Sequence, residues 1–217
     1  MKVIAVVPMK LNNRRLPQKN TKAFTNGKPL CWYILNTLKE IEKIDEVYVY
    51  CSNPEITDYL PEGVKYLRRS EELDQDTTSM NEVLEAFAAD VPADVYVMTH
   101  TTAPFIQGTS IEKGLAAVLE QGYDSAFAVK MLQEFLWKDG KPFNYTLERI
   151  SRTQDLEALY CETSGFYIYQ KNVIAQMKRR IGNHPYMVTV GEIESIDIDE
   201  KEDFEIADAI YNMYFCK

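Results

Sequence analysis

Residues 3–7 are apolar at every position, the pattern of a strand covered on both faces. A polar stretch, 8–25, separates it from a predicted helix over 29–42. Leu30, Tyr33, Ile34, Leu38 and Ile41 share one face of that helix, and Pro29 stands near a first-turn position. Further strands are predicted at 46–51, 64–67, 95–98 and 125–129. A short helix is predicted at 54–60. A longer one runs to about residue 89 behind a capping box of Ser79 with Glu82, and another to about 121 behind Thr109 with Glu112. The periodicity then fails: 131–161 is polar and turn-rich, an excursion with short strands of its own. A strand at 166–170, a helix through about 179, short strands at 186–190 and 195–198, and a closing helix over 200–214 complete the chain.

Alternating strands and helices predict an α/β fold in one domain: a mostly parallel twisted sheet with helices on both faces, Rossmann-like. Ligands of such sheets bind beyond the carboxyl ends of the strands. Three polar segments fall there: 8–20, 99–102 and 197–199.

Charge sharpens the first of these. The 217 residues carry 24 basic and 33 acidic side chains, a net charge of −9. Yet Lys2, Lys10, Arg14, Arg15, Lys19, Lys22, Lys28 and Lys39 all precede the first acid, Glu40. In an acidic protein, a basic loop behind the first strand points to an anionic ligand. Overall acidity argues against nucleic acid or an anionic membrane as partner. Cys31, Cys51, Cys161 and Cys216 show no metal-ligand spacing. The first apolar run is too short for a signal peptide and no span of about 18 apolar residues occurs, so a cytoplasmic setting is expected.

Four groups of residues carry candidate chemistry. The loop 8–20 offers cations and, in Asn12 and Asn13, residues that tolerate left-handed backbone. It has no glycine, so it is neither a Walker loop nor a dinucleotide fingerprint. Its bland reading is a solvated basic loop. Asp197-Ile198-Asp199 at a strand end would point two carboxylates to one side, roughly 7 Å apart at Cα, suiting Mg²⁺. Asp199, with Glu202 three positions on, reads equally well as a helix N-cap. His100, Thr101 and Thr102 suit a polyol or form only a turn. Gly165, in the run from Glu162 to Tyr167, marks a close backbone approach or a turn into a core strand.

Together these segments resemble the acylneuraminate cytidylyltransferases, the CMP-sialic acid synthetase family. The likeness rests on Leu16-Pro17-Gln18-Lys19-Asn20, Arg69 with Glu72-Leu73 and Asp76-Thr77, Thr102-Ala103-Pro104, the run 162–168, and Ser195-Ile196-Asp197-Ile198-Asp199 followed by Asp203. The resemblance implies transfer of CMP from CTP to the anomeric hydroxyl of a 2-keto-3-deoxy sugar acid, releasing pyrophosphate. It implies that Lys10, Arg14, Lys19 and Asn20, with Asn12, hold the triphosphate. Lys10, Arg14, Lys19 and Asp199 would act catalytically, Arg69 and Met80 would lie on the nucleotide side, and Asp197 and Asp199 would bind Mg²⁺. His100, Thr102, Lys138, Arg152, Gln154 and Tyr167 would face the sugar. The excursion would reach across a homodimer interface, so that Lys138 or Arg152 serves the partner's site.

The loop is bulkier than the family's near Asn13 and Arg15. His100 stands where glutamine is usual, Thr101 where proline is common, and Met80 where a serine lies near the base. A modified nonulosonic acid or another keto acid therefore stays open as acceptor. So do a transferase for a sugar or polyol phosphate, a catalytically weak nucleotide-binding paralogue, and a nucleotide-sugar glycosyltransferase.

Overall fold

In the computed structural model, which describes residues 1–215, one seven-stranded sheet organises the chain. Its strands in chain order are β1 (Val3–Met9), β2 (Glu46–Cys51), β3 (Lys65–Arg68), β4 (Val95–Thr99), β5 (Ser125–Leu132), β8 (Leu159–Gln170) and β9 (Pro185–Thr189). The spatial order is β3-β2-β1-β4-β8-β5-β9. All pairings are parallel except those of β8, which runs against both β4 and β5. Both faces of β1 are buried as predicted. Val3, Ala5 and Val7 join one apolar cluster, whereas Ile4 and Val6 join the other.

The helices are α1 (Leu30–Lys39), α2 (Met80–Asp90), α3 (Gly108–Glu120), α4 (Lys171–Met177) and α5 (Lys201–Tyr214). Ser79 and Glu82 form the predicted capping box on α2. Three expectations fail, each for a local reason. Thr109 and Glu112 do not cap α3. That helix starts earlier, behind Gln107, whose N–H is held by the Glu194 carboxylate at 3.0 Å, so a tertiary contact sets the entry. Helix α4 stops at Met177 because Lys178 turns left-handed, with φ of 55°. Residues 195–198 form no strand. They follow a turn and touch the sheet end through one backbone bond, Ile198 N–H to Thr102 C=O at 2.9 Å.

The excursion does carry its own strands, β6 (Trp137–Lys138) and β7 (Lys141–Pro142). They are joined by Asp139-Gly140, with φ of 51° and 74°. Positive φ at both central residues is what a two-residue hairpin requires, and Asp-Gly is its sequence signal. The antiparallel pairing of β5 with β8 continues beyond the sheet to Leu132 and Leu159, carrying the hairpin off the carboxyl ends of the parallel strands.

Candidate active site

The three polar segments meet where β1 and β4 end. Lys19 is buried, and its Nζ donates to the Ile198 carbonyl at 2.8 Å and to Asp199 Oδ1 at 3.2 Å. Asn20 is buried beside it. Its Nδ2 donates to the Lys10 carbonyl at 2.8 Å, and its Oδ1 accepts from Thr101 Oγ at 2.6 Å. Lys19 and Asn20 therefore tie the first loop to the segment 197–199 and to the end of β4. The left-handed residue that bends this loop is Gln18, with φ of 56°. Neither Asn12 nor Asn13 has positive φ.

Lys10, Asn13, Arg14, Arg15, Leu16, Lys19 and Asp76 line a cavity of about 340 Å³. Its cations rest on acids. Lys10 lies 3.4 Å and Arg14 2.6 Å from Asp76, and Arg15 lies 2.7 Å from Asp199. An adjoining cavity of about 400 Å³, lined by Leu11, Asn12, Ser52, Asn53, Arg68 and Asp74 among others, continues toward the ends of β2 and β3. Arg69 borders this region but is buried, and its Nε and one terminal nitrogen both donate to Asp74 Oδ1, at 3.0 and 2.6 Å. Met80 is the first residue of α2 and lines a separate cavity with Arg179 and Arg180.

Ile198 is fully buried against Phe24, Phe105 and Phe204, while Asp197 is exposed and Asp199 partly so. Burial of Ile198 thus turns the flanking carboxylates outward without a strand to hold them, Asp199 against Arg15 and Lys19 of the basic loop and Asp197 against Ser164. Glu200, not Asp199, caps α5, in a box with Asp203. The N–H groups of Glu200 and Asp199 hold the Asp203 carboxyl below its ordinary range. The Asp199 carboxylate itself is free of capping duty and accepts from Arg15 and Lys19.

Asp197 accepts from Ser164 Oγ at 2.8 Å. The register of β8 against β5 breaks between Phe127 and Val129, and the extra residues of β8 lie between Glu162 and Tyr167. This bulge contains Ser164. The close approach expected at Gly165 is real: an added Cβ would lie 2.4 Å from Ile106 Cδ1.

On the sugar side the expected residues divide. His100 and Thr102 stand directly after β4. Tyr167 is buried, and its hydroxyl donates to Glu162 and to the Thr163 carbonyl. Lys138 is exposed on the hairpin, Gln154 is exposed in a short 3₁₀ turn, and Arg152 is exposed and paired with Asp155 at 2.8 Å. The sequence reading missed Arg180. Released from α4 by the left-handed Lys178, it stacks 3.7 Å above the Tyr167 ring and donates to Glu162 at 3.3 Å. Arg15, Asp76 and Ser164 were also missed as site residues. Each lay within a segment that the sequence singled out, Arg15 in the basic loop, Asp76 in the Asp76-Thr77 match and Ser164 in the run 162–167, without a role of its own.

Burial, and after it the Arg180 guanidinium, lowers the His100 pKa to about 4. His100 is thus neutral in the fold at pH values where an unfolded histidine charges. The unfolded chain binds the extra proton first, so stability falls as pH drops from about 6.5 toward 4. His100→Gln is expected to flatten that acid limb of the Tm-versus-pH curve. Superimposable curves would refute the assignment.

A family model described as "Cytidylyltransferase" matches residues 4–215. The chain belongs to the cytidylyltransferase family. N-acylneuraminate cytidylyltransferase A of Danio rerio is 26% identical over 216 residues, 95% of this chain and 50% of that protein. N-acylneuraminate cytidylyltransferase of Streptococcus agalactiae serotype V is 22% identical, over 94% and 52%. The chain thus spans about half the length of these curated relatives. A CMP-N,N'-diacetyllegionaminic acid synthase of Legionella pneumophila is 24% identical and is matched nearly end to end, over 98% of this chain and 97% of that one. Among solved structures, a CMP:2-keto-3-deoxy-manno-octonic acid synthetase complexed with CTP superposes with a TM-score of 0.73 at 14% identity, covering 98% and 99% of the two chains. A 4-diphosphocytidyl-2C-methyl-D-erythritol synthase from Anaerococcus prevotii gives 0.71 at 13%, over 97% and 96%. The cytidylyltransferase fold is therefore shared even where sequence identity is low.

Proposed function

We propose that this cytidylyltransferase transfers CMP from CTP to the anomeric hydroxyl of a 2-keto-3-deoxy sugar acid, with Mg²⁺, and releases pyrophosphate. The observation that carries the reading is the meeting of the cationic cavity's Arg15 and Lys19 with Asp199, two residues after Asp197, at the carboxyl ends of β1 and β4. In the reaction the hydroxyl oxygen bonds to the α-phosphorus while the bond from that phosphorus to the β-phosphate oxygen breaks. Such a transfer needs positioning and charge neutralisation more than covalent help from the protein. Lys10, Arg14 and Arg15 face the cavity that suits a triphosphate, and Lys19 and Asn20 keep its wall rigid. Two hard carboxylate oxygen donors beside this cavity fit Mg²⁺. Asp197 and Asp199 would hold the ion, which would supply further stabilisation of the charge on the leaving pyrophosphate.

The Legionella relative, matched over nearly its whole length, favours a diacetylated nonulosonate as acceptor. A panel of keto acids incubated with CTP, with mass spectrometry of the products, tests both statements. A CMP-sugar with pyrophosphate is expected. Absence of pyrophosphate with every acid would end the proposal.

We further propose that the protein is a cytoplasmic homodimer built through the excursion. Phe135, Trp137, Phe143, Leu147, Ile150 and Tyr160 are exposed there, large apolar side chains that a partner copy would cover. No helix among the described residues is long and apolar enough to cross a membrane.

Asp76 competes with a bound anion for Lys10 and Arg14. Asp76→Asn should therefore tighten nucleotide binding severalfold, the scale of one exposed charge interaction. Isothermal titration with CTP measures it, and unchanged or weaker binding would exclude this competition.

A further inference from the structure

We propose that Arg15 is a gate on the metal-binding carboxylate: it occupies Asp199 in the free protein and passes to the nucleotide's phosphates when they enter the loop. The inference rests on the proposed function and adds an order of events to it.

Asp199 Oδ1 accepts from two cations, Arg15 at 2.7 Å and Lys19 at 3.2 Å. An oxygen so engaged offers little to a divalent ion. The two cations differ in mobility. The Lys19 side chain is 10% exposed and is anchored by the Ile198 carbonyl, whereas the Arg15 side chain is 59% exposed. The further acidic neighbours of Arg15 are Glu200, at 3.7 Å, and Asp203, whose pKa its charge helps to lower. Exposed ion pairs of this kind are weak and exchange readily.

Arg15 also lines the 340 Å³ cavity with Lys10 and Arg14, so one guanidinium borders both the anion pocket and the carboxylate. Phosphate oxygens accept two parallel N–H bonds from an arginine and carry more charge than one carboxylate. An entering triphosphate therefore draws Arg15 away and uncovers Asp199.

Without nucleotide the described residues offer a divalent ion only the Asp197 and Asp199 carboxylates, enough for weak binding alone. Asp197 already accepts from Ser164, and no group of three or more His, Cys, Asp or Glu suited to a metal occurs among the described residues. The site is completed only when phosphate oxygens arrive, and the same event opens the gate.

The test is Mn²⁺ titration of the full chain followed by water-proton relaxation enhancement, which separates protein-bound ion from Mn²⁺–CTP. With Mn²⁺ alone, Arg15→Ala should bind about fivefold more tightly than wild type, the scale of one exposed ion pair. Arg15→Lys should restore the weak binding, and Asp199→Asn added to Arg15→Ala should abolish the gain. A thermal melt of each variant confirms the fold. If wild type and Arg15→Ala bind Mn²⁺ equally without nucleotide, while both form the ternary complex with CTP, the gate is wrong and the proposed function stands. If neither forms a ternary complex, the metal assignment falls and the gate with it.

Discussion

Asp199→Asn should lower the rate of pyrophosphate release by about a thousandfold, the scale of losing a metal-borne stabilisation of several kcal/mol. The fold should survive, because Glu200 and Asp203 cap α5 without Asp199. The pair with Arg15 is exposed, and the asparagine carbonyl can still accept from Lys19. The melting temperature is therefore expected to move by no more than about 2 °C. Pyrophosphate release and a thermal melt on the same preparation decide the matter. Turnover within threefold of wild type would remove Asp199 from the chemistry. Full activity with a lowered melting temperature would return it to the capping role that the sequence allowed.

Asp74→Ala should have the largest effect on stability. The pair it breaks is buried, with the Arg69 side chain 4% exposed and Asp74 15%. Asp74 also accepts from Ser52, and its carbonyl accepts from Lys10. Removing the acid strands a buried guanidinium, at a cost of about 3 kcal/mol, or roughly 10 °C in a chain of this size. Arg69→Met should cost less than Asp74→Ala, since Asp74 keeps Ser52 as a donor and is nearer solvent. Urea unfolding of both variants compares them. A change under 1 kcal/mol for Asp74→Ala would show that this pair does not hold the β3 end in place. Arg69 would then be free to serve the nucleotide directly.

Much of the fold was legible because it depends on local periodicity. Residues 3–7 could be buried on both faces only inside a sheet, and the Ser79–Glu82 box marked the start of α2 within a residue. Asp139-Gly140 was an equally clear hairpin signal, passed over inside a stretch with no other pattern. The errors fall where a distant contact sets a boundary. Glu194 fixes the entry to α3, and Thr102 and the buried Ile198 place the Asp-containing segment without a strand.

Composition and pattern alone determined an acidic α/β protein with its positive charge gathered behind the first strand and an Asp-x-Asp pair near the last helix. Those properties follow from residue type and spacing. The tertiary structure decided which acid each cation meets: Asp76 for Lys10 and Arg14, Asp199 for Arg15 and Lys19, and Asp74 for Arg69. Arg15 and Asp199 lie 184 positions apart, and Arg180 reaches Tyr167 only because Lys178 breaks a helix. Electrostatic partnership depends on distance in space, which no local pattern carries. The positive loop could therefore be found in the sequence, but its resting grip on Asp199 could not.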